Sequence, residues 1–138
     1  MTTQELKLTE INGLKAKGLG FPRALYDARL RAADAAKRVK DFEDEIKDAE
    51  QEELLTASVA MVNDKPKYTN DMQRKAAAAK ALADSPTHRE RIKRLADAET
   101  EALNARLLCT QIEDEHRSYQ EIVKLVIAEV ELLTAWTR

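Results

Sequence analysis

Apolar positions in the last third of the chain recur at alternating intervals of three and four residues. Leu95, Ala98, Ala102, Ala105, Cys109, Ile112, His116, Tyr119, Val123, Val126, Val130 and Leu133 keep this spacing without a break, and His116 is the one strongly polar member. A second stripe with the same rhythm runs through Leu25, Ala28, Ala32, Ala35, Val39, Phe42, Ile46 and Ala49. This is the a/d pattern by which two helices pair along an apolar seam. Two such stripes in one chain predict an all-α fold: a long antiparallel helical hairpin, or coiled coil, with a short helix at its tip and a short N-terminal helix.

Side-chain size predicts how the stripes align. Laid head to tail so that partner numbers add to 144, Leu25 meets Tyr119, Ala28 meets His116, Val39 meets Ala105, Phe42 meets Ala102 and Ile46 meets Ala98. Most layers then join a bulky residue to a small one, which keeps layer volume even. A one-heptad slip, to partners adding to 137, sets Phe42 on Leu95 and Leu25 on Ile112 and leaves Ala35 on Ala102. Clashes and voids of that kind cost on the order of 1–3 kcal/mol each. The first register is therefore the expected one.

Punctuation residues divide the stripes into elements of a single domain. Thr2 and Glu5 form a capping box ahead of a short helix within residues 1–20, which Gly18 and Gly20 are expected to end in left-handed conformations. Pro22 suits the first turn of the next helix, so the first long helix is predicted over 22–62. Asn63-Asp64-Lys65-Pro66 breaks it. Within the tip, 63–86, Asn70 caps a short helix with Gln73 completing the box, and Met72, Ala76, Ala79 and Leu82 line its inner face and cover Leu54, Leu55, Val59 and Val62. Ser85-Pro86 closes that helix and starts the second long helix, predicted over 87–135, and Thr87 with Glu90 forms a second capping box that supports the same boundary. Its end, Val123 to Leu133, needs the N-terminal segment or a second chain to cover it.

Composition agrees with long helices. Charged residues make up 35% and aromatics 4%, with three Gly and three Pro, which is lean for a compact globule with a large core. The formal charge of −2 gives no bulk attraction to nucleic acid or anionic membrane. No apolar run approaches the roughly 20 residues that span a bilayer, and the start resembles no signal peptide, so a cytoplasmic location is expected. One cysteine, Cys109, excludes an internal disulfide.

Chemistry is scarce. Glu113 and His116 have the Glu-x-x-His spacing of di-iron bundles, but such sites need a second copy of the motif, and Ser85 stands three residues before the other histidine, His88. His116 therefore reads as a polar seam residue facing Ala28 that holds register. No catalytic residues, no metal ligands and no cofactor are predicted, because nucleophile, base and phosphate-cradling loop are all missing. Trp136 reads as a hydrophobic anchor.

Two surfaces stand out. Basic residues gather near the tip, with Lys65, Lys67, Arg74 and Lys75 around Tyr68, the combination that meets phosphates and stacks on an unpaired base. Leu30, Leu103, Leu107, Ile127 and Leu132, joined by Leu108 and Ile122, lie off the main seam and are candidate oligomer contacts. The segment Lys67-Tyr68-Thr69-Asn70-Asp71, followed by Arg74-Lys75-Ala76 between two long charged helices, resembles small helical-hairpin proteins of phages and prophages. The likeness runs from about Leu54 to Val126 in character and is specific at the tip. It implies an accessory role beside recombination or replication proteins and carries over no functional residue. Similarity to the hairpins of Trp-x-Gly secretion substrates is one of shape, since this turn lacks their motif. The expected function is a non-enzymatic coiled-coil adaptor or assembly protein with protein partners, itself a homo-oligomer; the alternative is a nucleic-acid accessory protein using the basic tip.

Overall fold

A computed structural model describes residues 2–137, with the side chain of Thr137 left out. It is all-α, with long first and last helices and a short helix between them: α1 over Thr3–Val59, α2 over Asp71–Ala83 and α3 over Pro86–Thr137. A single antiparallel pair of two-residue strands, β1 (Met61–Val62) and β2 (Lys65–Pro66), stands between α1 and α2. Contacts divide the chain into two compact units. In the terminal unit the chain up to Ala33 packs with the chain from Asn104 onward; the central unit is Asp34–Leu103.

The start of α1 follows the predicted box: Glu5 N donates to Thr2 Oγ1 at 3.1 Å and Thr2 N donates to Glu5 Oε2 at 2.8 Å. The break at Gly18-Leu19-Gly20-Phe21-Pro22 does not occur. One helix runs through it with Pro22 inside, and no glycine has positive φ. Proline in a helix interior removes one hydrogen bond and crowds the carbonyl four residues back, here that of Gly18, at a cost of about 3 kcal/mol. Tertiary packing offsets it, because Phe21 is among the few large side chains that the fold buries.

In the terminal unit the two long helices run antiparallel, as the ion pairs Lys7–Glu129 and Arg29–Glu113 establish. Their register is the slipped one. Phe21 stacks on His116 with ring centroids 4.9 Å apart, and Tyr119 lies over Gly18. Both pairs add to 137, so His116 faces Phe21 rather than Ala28, and Tyr119 faces Gly18 rather than Leu25. The physical reason is space. A β-carbon at Gly18 would overlap the phenolic oxygen and ring of Tyr119, so the ring is seated where the helix has no side chain. Tyr119 also tilts against Phe21 at 5.3 Å and lies beside His116 at 6.2 Å, completing a three-ring cluster.

The central unit keeps the same alignment. Arg38 pairs with Glu101 at 2.7 Å and Arg91 with Glu45 at 3.6 Å, both closer to the slipped register than to the expected one. Ala35, Ala49 and Ala98 are buried, as is His88, which lies seven residues before Leu95 and so continues the Leu95–Leu133 stripe backwards by one repeat. At the end of α1, Asn63 and Asp64 both have positive φ, 52° and 63°, which is what a two-residue hairpin loop matching strand twist requires. The predicted helix end at residue 62 is thus replaced by a small hairpin, with Lys67 N donating to the Ala60 carbonyl at 2.9 Å.

Caps then place α2. Asn70 Oδ1 accepts from Gln73 N at 2.8 Å, and Gln73 Oε1 accepts from Thr69 N at 2.9 Å, so the box closes one residue earlier than expected. The inner face of α2 is Arg74, Ala77, Ala78 and Leu82; Met72, Ala76 and Ala79 are exposed, because an unbroken Ala76–Ala79 run cannot reveal its own phase. Leu54 is half-buried, whereas Leu55, Val59 and Val62 stay exposed, so α2 does not cover the surface assigned to it. α3 begins at the expected Ser85-Pro86 boundary, with Ser85 Oγ accepting from His88 N at 3.3 Å and Pro86 as the first helical residue.

The three glycines separate close packing from simple helix propensity. A β-carbon added at Gly13 or Gly20 would meet open space, so Gly13→Ala and Gly20→Ala should each raise thermal stability by about 0.5–1 kcal/mol. Gly18→Ala should lower it by roughly 1–3 kcal/mol as Tyr119 is displaced; thermal denaturation of the three variants checks the contrast. Near the start of α1, hydrogen bonds to Glu129 first and Glu10 second raise the Lys7 ammonium above its ordinary 10.5. A raised cation stabilises the fold below its unfolded value and loses that contribution as pH climbs through the folded one. The stability difference between the native chain and Lys7→Met should therefore be constant to about pH 10 and shrink above it, which paired melts across that range would reveal.

Candidate interaction surfaces

Small residues supply most of the buried seam positions, and larger ones such as Leu25, Val39, Phe42, Ile46 and Ile112 are half-buried beside them. The buried apolar side chains are Phe21, Val126 and six alanines. Large apolar residues lie outside: Leu19, Tyr26, Leu55, Met72, Leu125 and Leu132 are more than half exposed, and Trp136 is 87% exposed. Helices whose backbones approach through alanine bury little side-chain area per layer and leave larger residues turned outward.

The most continuous apolar concavity belongs to the terminal unit. Ile11 and Leu14 of α1 form one wall, and Tyr119, Val123, Val126, Ile127 and Val130 of α3 form the other, around a groove of about 420 Å3. Lys15 stands on the α1 rim and Glu131 on the α3 rim. A smaller hollow of about 230 Å3, bordered by Leu8 and Leu133, adjoins it and shares Ile11 and Val130. The start of α1 therefore does meet the Val123–Leu133 segment, and leaves it half open.

The five candidate oligomer contacts are all exposed, from Leu103 at 49% to Leu132 at 62%. Leu30, Leu107, Ile127 and Leu132 belong to the terminal unit and Leu103 to the central one. Ile127 lines the apolar groove, while Leu107 and Ile122 line a more polar cleft with Lys17 and Asp114. Leu6, Ile11 and Leu14 are the apolar residues of the expected N-terminal helix, which the break expected at Gly18 separates from the long stripe; the spacing of three from Ile11 to Leu14, followed by Gly18 and Phe21 in the same rhythm, is the signal that joins them to it.

At the basic tip Lys65 and Lys67 are exposed, as is Lys75. Lys67 Nζ sits 5.4 Å from the centre of the half-buried Tyr68 ring. Arg74 is half-buried; its guanidinium contacts Asp71 at 3.0 Å and its Nε is sealed from solvent without a partner. Three of the five candidate nucleic-acid contacts, Lys67, Tyr68 and Arg74, are thus partly engaged within the fold. A cation over the Tyr68 ring competes with a stacking base, and a carboxylate beside Arg74 competes with a phosphate.

The Glu-x-x-His spacing gathers no site: Glu113 reaches Arg29 at 3.5 Å while His116 stacks on Phe21. Among the described residues no group of three or more His, Cys, Asp or Glu side chains is placed to hold a metal. Cys109 is a half-buried thiol without a disulfide. His88, 5% exposed, has an Nδ1 without a hydrogen-bond partner and borders a cleft with Leu54, Leu82 and Ile92 in the central unit. No helix among the described residues is long and apolar enough to cross a membrane.

Comparison with protein-family models gives no match, and neither curated proteins nor solved structures give one.

The tip geometry leads to a definite expectation. In low salt, a fluorescence-anisotropy titration with single-stranded oligonucleotides should give no salt-sensitive binding. Binding that disappears when Lys65, Lys67, Arg74 and Lys75 are all changed to Glu would instead make the tip a nucleic-acid contact.

Proposed function

We propose that this chain is a non-enzymatic coiled-coil adaptor or assembly protein that self-associates in the cytoplasm. The observation that carries the reading is the inversion of side-chain size across its surface. Six of the eight buried apolar residues among those described are alanines, while many Leu, Ile, Val, Met and Trp side chains are left in contact with water. Exposed apolar residues scattered singly are ordinary on any protein. Here they adjoin, in the terminal unit, a continuous apolar groove along paired helices, and contiguous patches of that sort mark places where another protein docks.

Helical pairs of this kind gain stability by adding helices. Each layer of two helices leaves its flanks open, and a four-helix arrangement covers flank with flank. The adaptor function then follows from geometry: a self-associated core leaves the remaining faces and the tip to other proteins.

Light scattering coupled to size exclusion tests the proposal. At high micromolar concentration the mass should be at least twice the 15.6 kDa of one chain. A strictly monomeric chain at that concentration would remove its basis.

A further inference from the structure

We propose that the His88 cleft of the central unit binds a small zwitterion with an apolar side chain, the chemistry of a free aliphatic amino acid. The cleft holds about 440 Å3, within the roughly 300–1,000 Å3 of small-molecule sites. Three helices of the same unit build it, with Leu54 from α1, Leu82 from α2 and Ile92 from α3 as its larger apolar walls.

His88 is the residue that calls for a ligand. It is 5% exposed, and its Nδ1 has no hydrogen-bond partner. Buried polar atoms are nearly always partnered within a protein, so one left over beside a cleft marks a place for a group from outside. The imidazole lines the cleft from the first turn of α3, the positive end of that helix, which favours an anion nearby. The bond to the ring is a soft torsion, and turning about it brings Nδ1 toward the cleft, where it can donate or accept.

Charge defines the occupant. One anion, Glu50, and one cation, Lys75, stand in the same lining; both are exposed, and neither forms an ion pair with any described residue. A plain carboxylate would meet Lys75 and oppose Glu50, and a plain amine would do the reverse. A molecule that carries both groups satisfies both residues, and its side chain covers Leu54, Leu82 and Ile92.

The test is calorimetric titration of the full chain with L-leucine, with N-acetyl-L-leucine, which lacks the ammonium, and with L-leucinamide, which lacks the carboxylate. Leucine should bind once per chain and each analogue at least about tenfold less tightly, because a site built for a polar group rejects a molecule without it. The analogues also stand for the two ends of a peptide, so an analogue that binds as well as leucine would make this a site for a chain terminus and overturn the free amino acid. Glu50→Gln should weaken leucine about tenfold and leave N-acetyl-leucine unchanged, whereas Lys75→Met should weaken leucine and leave leucinamide unchanged. Both side chains are exposed, so these variants keep the fold, with circular dichroism as the check. In nuclear magnetic resonance spectra the His88 ring should respond to leucine, while the ring of His116, in the other unit, should not. Failure of leucine to saturate the chain at tens of millimolar, or leucine binding indifferent to both substitutions, would overturn the site.

Discussion

The contact between Tyr119 and Gly18 is the constraint from which the terminal unit is built. An aromatic ring can lie directly on a helix backbone only where there is no side chain, and Gly18 provides that place in α1. Once the ring is seated, Phe21 falls on His116 and the pairing of the two long helices is set one heptad from the alignment that layer volumes alone suggest. The cluster also explains how α1 continues through Pro22. Burial of Phe21 contributes roughly 1.5–3 kcal/mol, comparable with the cost of an interior proline.

The slipped register sets small residues opposite one another at several layers, such as Ala35 with Ala102 and Ala32 with Ala105. Ala28 in one unit, and Ala35 and Ala98 in the other, are almost wholly enclosed. Close backbones leave little room for large residues between them, so bulk is displaced to the flanks. That displacement links packing to function: the groove of Ile11, Leu14, Val126 and Ile127 is the outer side of the same packing decision that buried the alanines.

Charge has a subordinate part. The interhelical pairs Arg29–Glu113, Arg38–Glu101 and Arg91–Glu45 each have at least one exposed partner, and such pairs contribute roughly 0–1 kcal/mol each. They favour the antiparallel direction rather than holding the helices together, and Arg38–Glu101 and Arg91–Glu45, unlike Arg29–Glu113, lie nearer the register set by Tyr119 and Gly18. The two histidines differ from each other more than their sequence surroundings suggest. His116 is half-buried in a ring cluster, while His88 is sealed with one nitrogen lacking a partner, a departure from full satisfaction that costs about 1–3 kcal/mol.

Helix content, the antiparallel pairing within each unit and the caps at Thr2 and Asn70 were legible from residue order, because heptad spacing and capping act over three or four residues and need no knowledge of distant neighbours. The candidate surfaces were legible only as sets of residues. Residue order named Ile127 and Leu107 together, yet they line different concavities; it named Lys67, Tyr68 and Arg74 as a binding patch, yet each is partly engaged inside the fold. Register, the unbroken course of α1 and the phase of α2 were decided by tertiary structure. A heptad pattern fits itself equally well after a shift of seven residues, a glycine reads alike as a helix end or as a seat for a ring, and four consecutive alanines have no phase; only the neighbour across the seam distinguishes these cases.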